Sequence, residues 1–150
     1  MKKSILTLSA LLLLATQSPA WANEKDEVNQ AFAQWRTSLS SGSAENVVAL
    51  YEKDAVLLAT LAATPLTTQE QRMVYFATLT AKPKLATTVT EEHIRLLGKN
   101  DAIVSGLYTF SFEENGKKVE IPARFSFVYE KENGKWMIIE HHSSKVPQSL

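Results

Sequence analysis

The fold is decided by A-R-F-S-F-V-Y-E-K-E-N-G-K-W-M-I-I-E-H-H-S-S, residues 123–144. Two runs rich in Phe, Val, Ile, Tyr and Trp flank Asn133-Gly134, a pair that readily takes positive φ and so forms the tight turn whose twist matches that of paired strands. This stretch is a β-hairpin. Its far end carries Glu140, His141, His142, Ser143 and Ser144, polar residues that a strand does not require and that mark either an opening to solvent or a site.

Upstream, the same alternation of apolar and polar residues repeats. Strands are expected at about 87–97, 102–112, 118–130 and 135–144, divided by Gly98–Asp101, Asn115-Gly116 and Asn133-Gly134. Before Pro83 the period is helical. Val28, Phe32, Trp35 and Leu39 form one stripe of a helix over 24–40, and Ser43 caps a short second helix. A first strand is expected over 54–60, and Thr67 with Glu70 has capping-box spacing for a third helix carrying Val74, Tyr75, Phe76 and Leu79. Helices first and long strands last predict an α+β domain, with the helices laid on one face of an antiparallel sheet.

Composition limits the function. The start has the form of a secretory signal: Lys2 and Lys3, an apolar run from Ile5 to Ala15, and Ala20-Trp21-Ala22 at the exit. Residues 1–22 are therefore expected to be removed, leaving 23–150 as one domain in the periplasm or secreted. The run falls short of the ~20 apolar residues needed to span a bilayer, so no membrane insertion of the mature chain is expected. Setting aside Lys2 and Lys3 leaves 14 basic residues against 16 acidic, a net of −2, which gives no electrostatic reason to expect nucleic acid. There is no cysteine, hence no disulfide framework and no thiolate chemistry. No phosphate loop, dinucleotide fingerprint or protein-kinase signature is present, and no cofactor is expected.

If every turn is a two-residue loop, the pairing follows by arithmetic. Phe110 meets Ile121, Tyr108 meets Ala123, Gly106 meets Phe125, Phe125 meets His142 and Phe127 meets Glu140; a Lys99-Asn100 turn sets His93 beside Gly106 and Arg95 beside Val104. The aromatic face then holds Phe110, Phe112, Ile121, Phe125, Phe127, Tyr129 and Ile138, with His93, Arg95, Tyr108, Glu140 and His142 at one end. Charged groups under helices need partners or a wet cavity. They read either as a rim ion pair, Arg95 with Glu140, or as a pocket between the aromatic face and the first and third helices. Such a pocket is floored by Tyr108, Phe125 and Phe127, edged by Trp35 and Tyr75, and given room by Gly106. His93 and His142 are set about 14 Å apart at ordinary strand spacing, too far to share a metal ion. The other face mixes Ile103, Ser105, Leu107, Arg124, Ser126, Val128, Ile139, His141 and Ser143, as a face that packs on a second copy does.

W-R-T-S-L at Trp35, L-Y-E-K-D-A-V-L-L at Leu50–Leu58, Tyr75-Phe76, S-G-L-Y-T-F at Ser105–Phe110 and the A-R-F-S-F-V-Y…G-K-W…H-H-S-S stretch together resemble one family. It is that of bacterial relatives of the calcium/calmodulin-dependent protein kinase II association domain, in the nuclear transport factor 2-like and SnoaL-like superfamily. The resemblance implies a cone of helices over a curved sheet, a pocket between them, and dimers or larger rings; it implies no kinase activity, since in the kinase this domain is the assembly hub. Aligned on the hub, two of its basic pocket positions fall at Tyr108 and Phe127. Aligned on ketosteroid isomerases, the general base falls near Ala59 and the oxyanion tyrosine near Trp35, groups unable to do that chemistry. The expected function is therefore an exported, non-catalytic domain that self-associates and binds a small molecule in its cone. The alternative is a SnoaL-like, cofactor-independent isomerase, cyclase or hydrolase with Glu140 and His142 as acid and base and Tyr108 polarising an oxygen.

Overall fold

The computed structural model describes residues 20–147. Three helices, α1 (Ala20–Ser40), α2 (Ala44–Val48) and α3 (Gln69–Thr80), accompany five strands, β1 (Tyr51–Leu58), β2 (Ala86–Leu96), β3 (Asp101–Glu114), β4 (Lys117–Glu132) and β5 (Lys135–Lys145). The leader expected over residues 1–22 lies mostly outside the described residues, and no described helix is long and apolar enough to cross a membrane.

The α1 stripe is as expected, with Val28, Phe32, Trp35 and Leu39 all buried. Ser43 caps α2 by accepting from the Asn46 amide at 3.2 Å. In α3 the cap is Thr68 with Gln71, one residue after the expected Thr67 with Glu70. Both pairs have the spacing; the later one turns Phe76, Leu79 and Arg72 inward and leaves Val74 70% exposed.

The strands form one sheet in the order β1-β5-β4-β3-β2. All neighbours are antiparallel except β1, which lies parallel to β5 and begins at Tyr51, three residues before its expected start. Asn115, Gly116, Asn133 and Gly134 all have positive φ, and Glu114↔Lys117 and Glu132↔Lys135 confirm two-residue loops. Between β3 and β4 the register runs without a break, so Phe110 meets Ile121, Tyr108 meets Ala123 and Gly106 meets Phe125.

Two irregularities overturn the rest of the pairing arithmetic. A bulge at Ile139 shifts β5 by one residue, so that Phe127 faces His141 instead of Glu140 and Phe125 faces Ser143 instead of His142. Beyond the bulge every side chain changes face. His141 and Ser143 enter the core at 3% and 5% exposure, while Glu140 and His142 point outward. The β2–β3 connection is longer than the two-residue Lys99-Asn100 turn, which sets His93 opposite Ser105 and Arg95 opposite Ile103, both exposed on the outer face.

Gly106 has a different reason from the one expected. A second register shift, between Val89 and Glu91, drives the Glu91 carbonyl into the place where a Cβ on Gly106 would stand. The glycine admits backbone, not a ligand.

Candidate functional site

The cone interior is filled by rings. Phe32 stacks on Phe125 at 5.0 Å between centroids, Trp35 meets Phe127 edge-on at 4.9 Å, and Tyr108 lies 4.6 Å from both Phe110 and Phe125. Of the residues expected to line a pocket, Trp35, Tyr108, Phe125 and Phe127 come together here, buried. Tyr75 is half-buried beside Phe76, and burial pushes its hydroxyl up to about 12. Glu140, His142, His93 and Arg95 are not with them. The expected Arg95–Glu140 pair is not among the ion pairs, and His93 Nε2 instead lies 2.8 Å from Glu91.

Two polar strings thread the aromatic core, and both come from the bulge. In the first, Trp35 Nε1 donates to the Tyr51 hydroxyl at 3.0 Å, and that hydroxyl lies 2.8 Å from His141 Nδ1. The indole can only donate, so most groups are satisfied when the Tyr51 hydroxyl donates a hydrogen bond to Nδ1, with the imidazole proton on Nε2. The His141 ring stacks on Phe127 at 3.8 Å, and its Nε2 has no hydrogen-bond partner. Burial, with a smaller contribution from His142, lowers the imidazole to about 3. Burial likewise holds Tyr51 well above its ordinary value. At neutral pH, then, this string is uncharged.

The second string leads outward. Tyr108, its hydroxyl held well above its ordinary range by burial, donates to Ser143 Oγ at 2.7 Å, and Ser143 Oγ bonds Thr60 Oγ1. Ser143 Oγ, accepting from Tyr108, still has one lone pair and its own proton, so either hydroxyl of the Ser143–Thr60 pair can donate to the other. Thr60, half-buried, lines a cleft of about 400 Å³ between the loop Leu58–Pro65 and the end of β5 at His142–Lys145. No carboxylate lines it. His142, one of the sequence candidates, does, from its outward position. Sequence reasoning set His141 and Ser143 on the outer face, because only the position of the bulge tells which of His141 and His142 turns in.

A third buried polar group serves the frame. Arg72, fully buried, donates to the carbonyls of Glu52, Lys53 and Ala55, where β1 breaks register between Tyr51 and Val56. Among the described residues no three His, Cys, Asp or Glu side chains gather as a metal ligand set.

Comparison with known proteins fits this architecture. The model of the calcium/calmodulin dependent protein kinase II association domain matches residues 24–147. The chain belongs to that family. A Xanthomonas campestris protein provisionally named as such an association domain is 35% identical, with a TM-score of 0.79 over 97% of this chain and 100% of its own. The CamKII hub homology domain of Chlamydamonas reinhardtii superposes with a TM-score of 0.71 at 24% identity, over 81% of this chain and 98% of its own. A Streptomyces avermitilis protein of the NTF2-like family, provisionally named a dehydratase, gives 0.77 at 15% identity over 85% and 99%, which shows the shared fold alone. No curated protein matches the chain. The fold is the one seen in NTF2-like proteins, as the motifs implied.

Proposed function

We propose that this association-domain protein is an exported, non-catalytic module that assembles with copies of itself through the outer face of its sheet and takes a small ligand at the rim of its cone. One observation carries the assembly reading. On the outer face Ile103 pairs with Val128, and these with Leu107 and Ile139 are only half-buried, with no described helix burying them. An apolar row of this kind is what a second sheet covers. The hub relative supports the same reading by likeness.

The ligand reading moves from the centre of the cone to its rim, since the centre is packed with rings and the cleft at Thr60 is open. The absence of chemistry inside the cone rests on the site's own groups: a neutral His141 with no carboxylate beside it, and Glu140 facing outward. Light scattering of the mature protein tests the assembly. A dimer or larger species at micromolar concentration that Val128→Glu converts to monomer is expected; a wild-type monomer, or a Val128→Glu oligomer of unchanged mass, refutes it.

A further inference from the structure

We infer that the rim cleft binds a short peptide with small side chains, held in extended form against the open edge of β5; this rests on the cleft being the ligand site. β1 ends at Leu58, opposite His142, while β5 runs on through Lys145. Among the described residues Ser143, Ser144 and Lys145 therefore have a strand on one side only, pairing with Phe125, Arg124 and Ala123 of β4. This three-residue overhang is about 10 Å long and forms one wall of the cleft.

The direction of its backbone groups follows from the ladder. Val146 N–H donates to the Pro122 carbonyl at 3.0 Å, and alternate residues of an antiparallel strand point to opposite neighbours. Ser143 and Lys145 thus aim their backbone groups away from β4, toward the cleft. The parallel pairing of Leu58 with His142 occupies the Ser143 N–H, which leaves the Ser143 carbonyl and the Lys145 N–H. No backbone hydrogen bond joins residues 59–65 to this edge. A straight continuation of β1 would have filled the place with the backbone of residue 60, but Thr60 meets β5 through its side chain instead.

One residue of an extended peptide satisfies both free groups, giving its N–H to the Ser143 carbonyl and its C=O to the Lys145 N–H. This is the added-strand mode of peptide recognition, at the length of one to three residues. Ala62, Ala63 and Pro65 bring small side chains to the cleft, and the Thr60 hydroxyl lines it as a further polar group. With Lys145 at the rim and no acid in the lining, a neutral or acidic peptide is favoured over a basic one.

The test uses acetyl-Ala-Ala-Ala-amide on the mature protein, read by calorimetry and by hydrogen exchange of the 143–146 segment. Binding with protection of that segment is expected, weakened at least tenfold when the central alanine is N-methylated. It is also expected to weaken at least tenfold in Lys145→Pro, whose missing N–H lies on the open edge where proline is tolerated. Equal binding of the N-methylated peptide to the wild-type protein overturns the proposal whether or not Lys145→Pro folds. Binding of acetate or phosphate but not of the peptide overturns it while leaving the cleft a ligand site. Protection by none of these probes overturns both.

Discussion

Lowering the pH from 7.5 to 5.0 should cost this protein about 2 kcal/mol of stability through His141 alone. In the unfolded chain the imidazole takes a proton near its ordinary value of 6.5; in the folded chain burial delays that to about 3. Between the two, the unfolded state binds more protons, so stability is complete above about 6.5 and falls as the pH falls toward about 3. The slope reaches about 1.4 kcal/mol per pH unit, and integration from 7.5 to 5.0 gives the ~2 kcal/mol. Glu27, Glu45 and Glu70, whose carboxyls are lowered chiefly by hydrogen bonds, lose their contribution only at lower pH. Glu52, raised by partial burial and by Glu132, acts with the opposite sign. Urea unfolding at both pH values and one protein concentration measures the loss, with His141→Asn as the comparison. The variant should start less stable, because Tyr51 loses its partner, and should lose ~2 kcal/mol less on acidification. An equal loss in the variant, or an NMR titration of His141 near 6.5 in the folded protein, would refute the reasoning.

Arg72→Met should destabilise by about 3 kcal/mol, measured by urea unfolding, since it strands the carbonyls that the guanidinium serves in β1. Gly106→Ala should cost about 3 kcal/mol or more, because the added methyl meets the Glu91 backbone carbonyl rather than a yielding side chain; unchanged thermal unfolding would contradict it. The mature protein recovered from the cell envelope should begin at Asn23 by amino-terminal sequencing, and material beginning at Met1 would count against export.

The sequence made the hairpins, the α1 stripe and the β3–β4 register legible, because each depends on local rules: Asn-Gly turns, a helical period, and alternation unbroken from Glu114 to Asp101. The polar site was legible in composition but not in orientation. Ile138-Ile139 reads as ordinary strand, and nothing in two consecutive isoleucines announces that one of them is extra. The same holds at Thr90, where the shift is fixed by the backbone of β3 across the sheet. Both are tertiary facts; the bulge displaced Glu140 and His142, and the longer β2–β3 connection displaced His93 and Arg95, all residues chosen by counting.

Ile139 thus works as a parity switch. By absorbing one residue, the bulge reverses the facing of every later position in β5, exchanging the chemistry of interior and surface without changing which amino acids the strand contains. Straightening the strand with Ile139 retained would place Glu140 and His142 under the helices and turn His141 and Ser143 out to solvent. Deleting Ile139 would instead abolish the bulge and keep His141 opposite Phe127. A relative one residue shorter at this point can therefore carry the same interior, and an ungapped match of letters across it would join groups from opposite environments.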